Sequence, residues 1–246
     1  MATSKKSARP KPVDAWGGAP LNMTTLRKLW KPRRDAYSKA HLYDEVRVRI
    51  HRALTWLEFS ERCHAPEDLD AKLIAQWIAF TALTSQWNKK TNAPEPDSAA
   101  TRLFIQQILD HDQDGLMQMV LETNDRAARA LFEDAYLAKQ FKSREQSKNS
   151  KQRDGSGKPF STKSTMEDIL EQAQFQPWLE AVLERVQFVR DQLVHGASTY
   201  NSRLNRVAVR RASSLLEHLV ACFMQILMEH GYTDDWGDLC YSPLAD

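Results

Sequence analysis

An all-α fold is what this 246-residue chain predicts, on three observations. Apolar residues recur three and four positions apart over long stretches, the period of a helix with one buried face. Strand-like alternation is missing from those stretches. Glycine (8) and proline (10) are few for the length, so helices can run on without punctuation. A hydrophobic content of 42% is ample for a core, and one elaborated bundle suits the length better than two very small domains.

Residues 1–34 read as a disordered, basic N-terminal arm: the start is rich in Pro, Lys and Gly, and Pro32 interrupts the basic run Leu26 to Arg34. The helical domain is expected over 35–231. Its first helix runs from about Asp35 to Cys63, with Val46, Ile50 and Leu54 or Leu57 on the apolar face and Arg47, Arg49 and Arg52 on the polar side. Pro66 suits the first turn of a second helix, which carries Leu73, Trp77, Phe80 and Trp87. A loop over 88–96 follows, then shorter helices within 98–141, read as a helical insertion, and a polar flexible loop over 142–164. Ser164 or Thr165 can cap the next helix. Its stripe Leu179, Val182, Val186, Val189 and Leu193 ends at His195, where Gly196 suits the left-handed position that closes a helix. A last helix spans about Arg203 to His230, with Leu204, Ala208, Leu215, Leu219, Cys222 and Ile226 inward, and 232–246 form a C-terminal tail.

Composition narrows the function classes. The net charge of +2 neither demands nor excludes a nucleic-acid partner. Cys63, Cys222 and Cys240 are odd in number and lack CxxC spacing, which suggests neither a disulfide framework nor a cysteine zinc site. No apolar segment follows the basic start and none is long enough to span a bilayer, so a cytoplasmic protein with no membrane contact is expected. Gly-rich phosphate loops, GxSxG elbows and HExxH pairs are missing, and no cofactor or metal is expected. Asp110-His-Asp-Gln-Asp-Gly115 has the alternating carboxylates of a calcium loop but lacks the closing Glu: position 121 is Leu. It reads as a solvated turn.

Two places carry chemistry. In Phe188-Val-Arg-Asp-Gln-Leu-Val-His-Gly196, a guanidinium suited to phosphate (Arg190), a carboxylate (Asp191) and an imidazole (His195) lie within one and a half turns. Asp191 and His195 are four apart and share a face, so the carboxylate could orient the imidazole. Arg190 and His195 are five apart, a rotation of about 500° that leaves them roughly 140° apart. One straight helix cannot aim both at the same atom; either the helix stops here or a second copy completes the site. The other place is the N-terminal run, where Lys28, Lys31, Arg33 and Arg34 surround Trp30, a pattern that could hold single-stranded nucleic acid by phosphate contact and stacking.

The spelling R-D-x-x-x-H-G resembles the R-x(4 to 6)-H motif of HEPN domains, small helical bundles that include many metal-independent ribonucleases. Upstream, Ile74-Ala-Gln-Trp-Ile-Ala-Phe-Thr-Ala-Leu83 resembles a helix that reads W-I-A-F-N-A-L in one branch of these domains, with Thr81 in place of Asn. Two other Arg/His pairs, Arg34 with His41 and Arg211 with His218, lack the Gly after His, where Leu42 and Leu219 stand. The resemblance covers about residues 40–90 and 165–231. It implies a HEPN-like antiparallel helical bundle and an endoribonuclease with Arg190, Asp191 and His195 as catalytic residues. It further implies RNA as substrate, a homodimer whose two motifs meet, and a toxin or antiviral-defence effector with an antitoxin or defence-system partner. The alternative is a non-catalytic HEPN-like module that binds a protein, nucleotide or RNA.

Overall fold

The computed structural model describes residues 22–40, 44–134, 137, 175–232 and 234–241. Seven α-helices lie among these residues: α1 (Met23–Ala40), α2 (Asp44–Arg62), α3 (Leu69–Thr84), α4 (Asp97–His111), α5 (Leu116–Phe132), α6 (Phe175–Val194) and α7 (Arg206–His230). The fold is all-α, as the periodicity predicts. A short antiparallel hairpin, β1 (Trp87–Asn88) with β2 (Ala93–Pro94), stands where the sequence suggests a loop. Asn88 makes it, because its side-chain oxygen accepts from the Lys90 and Thr91 amides at 2.9 and 3.1 Å and closes the turn.

Helix α7 is the centre of the bundle and packs against each of the other six. From Leu215 to Met228 every residue except Glu217 is buried, so this helix has no solvent face over most of its length. Its inward stripe is wider than the sequence expects at this end and narrower at the other, where Leu204 is 97% exposed and precedes the helix. Around Phe223 the core is aromatic, with Phe104 edge-on at 5.5 Å and Trp236 5.8 Å beyond Phe104.

Three expectations are corrected. Helices α4 and α5, expected to pair less evidently with the bundle, pack into its core. Phe104, Ile105, Ile108, Met117, Val120 and Leu121 are fully buried, and both helices pack on α6 and α7. Where two short helices are expected over Leu116 to Phe141, α5 runs unbroken to Phe132. Its start is organised by Asp112 of the calcium-like run, whose carboxylate accepts from the Leu116 and Met117 amides at 2.8 and 2.7 Å. That carboxylate is a helix cap. Burial raises its proton affinity, against the pull of the two amides. The flexible loop expected over 142–164 and the cap at Ser164 or Thr165 lie outside the described residues.

The third correction concerns the arm, which does not extend to residue 34. Residues from Met23 onward are helical straight through Pro32. Met23, Leu26 and Trp30 bury one face against the core, and the Arg33 guanidinium donates to the Leu29 carbonyl at 3.0 Å in the turn that proline disturbs. Apolar burial thus overrides a local helix breaker.

Arg49, expected on a polar face, is 1% exposed. Its guanidinium donates to four carbonyls: Leu83 at 3.1 Å and Ser85 at the end of α3, and Gly237 and Asp238 of the C-terminal segment, each at 3.0 Å. Burial lowers its proton affinity to about 10, still far above neutrality, so the group remains a cation. Replacing Arg49 with Met would leave those buried carbonyls unsatisfied at about 1–3 kcal/mol each. We expect a loss of at least about 3 kcal/mol, read as a lower urea midpoint, with Arg49→Lys recovering only part because one ammonium cannot span both carbonyl pairs. Trp30→Ala, a neutral change if this residue belonged to a solvated arm, should cost about 3–5 kcal/mol.

Candidate functional site

The motif of α6 sits on a corner that its own sequence starts and distant residues fix. Gly196 takes the left-handed conformation at φ 66°, which turns the chain off the helix and lets the Ser198 amide reach the Gln192 carbonyl at 3.1 Å. The following segment is held by Asp70 in the first turn of α3. One carboxylate oxygen accepts the Asn201 amide at 2.9 Å, and the other pairs with Arg206 at the start of α7. Arg206 also donates to the Pro66 carbonyl, and Asn205 donates to the Ser198 hydroxyl at 2.7 Å. Two elements 136 positions apart in sequence therefore set where the turn after His195 goes.

Arg190 lies at the border of the buried face, as its stripe predicts. The guanidinium stacks 4.5 Å above the Trp77 ring and pairs with the neighbouring Asp191 carboxylate at 2.9 Å. Stacking fixes the plane of the guanidinium, and pairing fixes which edge is occupied. His195 lies one residue beyond the helix, is exposed, and its imidazole makes no hydrogen bond or ion pair among the described residues. The expected orientation of His195 by Asp191 is thus not made within one chain. The carboxylate is turned to Arg190.

Sequence reasoning missed two participants. Trp77 belongs to the apolar helix α3 and reads only as core, which it is, yet its ring is the platform for Arg190. Gln192, next to Asp191, is buried, and neither polar atom of its amide has a partner among the described residues; the Arg190 Nε is likewise buried without one. Unsatisfied polar atoms at one helix end are costly and mark a place where a ligand or partner can supply what the chain does not. A glutamine among polar neighbours at a helix end carries no sequence signal of this.

Trp77 also lines a cavity of about 530 Å³ between α3, α4 and α6, together with Phe80, Asp97, Arg102, Glu180, Glu184 and Gln187 among others. Three carboxylates against one arginine, itself paired with Glu180 at 3.2 Å, make it a poor host for a polyanion. The exposed His195 side of the motif is the more favourable one.

The nucleic-acid residues expected near the N-terminus differ in burial and pairing. Trp30 is buried, Arg33 pairs with Glu229 of α7 at 3.5 Å, and Lys28, Lys31 and Arg34 are exposed. The rival pair Arg211 and His218 is structural: Arg211 donates to the Ala130 carbonyl at 3.4 Å, and the buried His218 places Nδ1 2.7 Å from the Ser214 carbonyl. Among the described residues no group of three His, Cys, Asp or Glu could hold a metal, and no helix is long and apolar enough to cross a membrane.

No protein-family model, curated protein or solved structure matches this chain. What defines it is therefore its own architecture, an all-α bundle with an Arg/Asp/His corner.

Because Arg190 stacks and packs while His195 does not, their structural costs should separate. Arg190→Ala is expected to lower stability by about 1–2 kcal/mol through lost stacking and packing. His195→Ala should stay within about 0.5 kcal/mol, both read from urea unfolding.

Proposed function

We propose that the chain is a metal-independent endoribonuclease of the HEPN type, whose complete site forms when two copies pair at the α6–α7 corner. The observation that carries this reading is the pairing of an oriented guanidinium, Arg190 on Trp77, with an exposed and uncommitted imidazole, His195, on a rigid turn. Apolar side chains ring that turn in solvent: Val194, Tyr200, Leu204 and Val207 are all more than half exposed. Several large apolar side chains exposed beside a polar centre are a feature of protein interfaces.

The chemistry requires two proton-transfer groups and one cation. His195 of one copy takes the proton of an RNA 2′-hydroxyl, and the 2′-oxygen attacks the adjacent phosphorus. Arg190 neutralises the charge that gathers on the phosphoryl oxygens. The bond to the 5′-oxygen breaks, and that oxygen takes a proton from the second copy's His195, leaving a 2′,3′-cyclic phosphate. Two copies also remove the 140° mismatch, since Arg190 and His195 at one phosphate then need not come from one helix. A toxin or antiviral-defence effector with a restraining partner is the biological setting that fits such an activity.

One observation favours a second reading, a non-catalytic module that binds a partner protein, nucleotide or RNA at the same corner. Arg190 is already paired with Asp191, and a phosphate must compete with that carboxylate.

Purified protein should cut RNA in the presence of EDTA and leave 2′,3′-cyclic phosphate or 3′-phosphate ends. His195→Ala should abolish cleavage without loss of fold, Arg190→Lys should leave at most a small fraction of it, and Asp191→Asn should fall between. Wild-type protein that cuts no RNA under any of these conditions, or a His195→Ala variant that cuts as well as wild type, would transfer the site to the binding reading. Leu204→Asp alters a side chain that is 97% exposed, so it should leave the helical content unchanged while shifting light-scattering mass from dimer to monomer and suppressing cleavage. A wild-type protein that is strictly monomeric yet active would rule out the composite site.

A further inference from the structure

A second cavity, of about 440 Å³, opens between α1 and α2 and is lined by Trp30, Arg34, Arg47, Val48, His51 and Arg52. Its composition follows from helix geometry. Trp30 and Arg34 are one turn apart on α1; Arg47 and His51, and Val48 and Arg52, are each one turn apart on α2. Residues four apart stack along one ridge, so two ridges face each other and bring three guanidinium groups and an imidazole around an indole wall. The basic N-terminal run contributes only Trp30 and Arg34; the other cations come from α2.

The fixed geometry of these groups makes the cavity more than a charged surface. Trp30 is anchored in the core at 6% exposure. Arg47 is braced by Asp44 at 3.0 Å, and Arg52 donates to the Tyr241 carbonyl at 2.6 Å, which ties the cavity wall to the C-terminal segment. Each brace uses part of a five-donor guanidinium. Asp44 is one carboxylate that answers Arg47, and among the described residues no acidic side chain lines the cavity itself. Its volume lies within the range of small-molecule sites.

We propose that this cavity is a binding site for a phosphate ester bearing a planar base. The phosphate is held by Arg34, Arg47 and Arg52, and the base lies toward Trp30 and Val48. Arginine forks match phosphate oxygens two at a time, and an indole beside them accepts an aromatic ring of any sequence. The site draws on no residue of the α6 corner and stands or falls apart from the cleavage reading. The same chemistry is offered by a free nucleotide and by a phosphodiester of single-stranded RNA.

Calorimetric titration of the full chain with adenosine 5′-monophosphate, adenosine, and a short single-stranded RNA tests the assignment. Binding of the monophosphate but not adenosine, weakened about tenfold by Arg34→Ala and by Arg47→Ala, is the expected result for a nucleotide site. Lys28→Ala, a cation on α1 outside the cavity, should change monophosphate affinity less than twofold. Binding of the RNA alone, with each arginine variant lowering the salt slope by about one, assigns the phosphodiester source instead. Failure of both phosphate ligands to bind at low salt, or affinity unchanged in Arg34→Ala and Arg47→Ala proteins of wild-type stability, would overturn the proposal.

Discussion

The structure depends on a buried cation, Arg49, that pairs with no carboxylate among the described residues. Arg49 is enclosed, and its charge is met by four backbone carbonyls, two at the end of α3 and two in the segment after α7. Carbonyls at a helix C-terminus have no intrahelical partner and carry the negative end of the helix dipole. A cation there satisfies acceptors that would otherwise be orphaned, and it draws the chain terminus onto the same group. With that segment docked, the Trp87 amide donates to the Asp238 carbonyl and Trp236 enters the core, its ring nitrogen donating to the Gly231 carbonyl at 3.1 Å.

The other end of α3 is held by the reciprocal arrangement. Asp70 in its first turn, favourably placed for the dipole, takes Arg206 of α7 and the Asn201 amide. Helix α3 is thus fixed by an arginine at one end and an aspartate at the other, and it carries Trp77, on which Arg190 lies. The Arg190 guanidinium is oriented because α3 cannot slide, and the turn after His195 is positioned because Asp70 holds Asn201. Stability and candidate site share these constraints.

Within a single chain the corner is unfinished in a specific way. Arg190 is oriented but committed to Asp191, and among the described residues the exposed His195 imidazole and the buried Gln192 amide meet no partner. On the proposed reading, a second copy brings its own imidazole and relieves these deficits together. On the same reading, a phosphate bound at Arg190 would have to compete with the Asp191 carboxylate that the guanidinium already meets.

Much of this was legible in the chain. Helical periodicity gave the fold class; Gly196 marked the helix end; the stripe of α6 placed Arg190 at the edge of the buried face; the spacing set Arg190 and His195 on different sides of the helix axis. These are local properties, set by backbone geometry and by which side chains avoid water. The sequence could not show that Arg49 is internal, because a cation is buried only where distant carbonyls converge on it. Nor could it show that Pro32 lies within a helix, since the burial of Met23, Leu26 and Trp30 that overrides it depends on α1 docking against the core. The partners of Asp70 and Arg190 and the gathering of Arg34, Arg47 and Arg52 around one cavity arise between helices. Periodicity decides which face of a helix turns inward; only packing decides what that face meets.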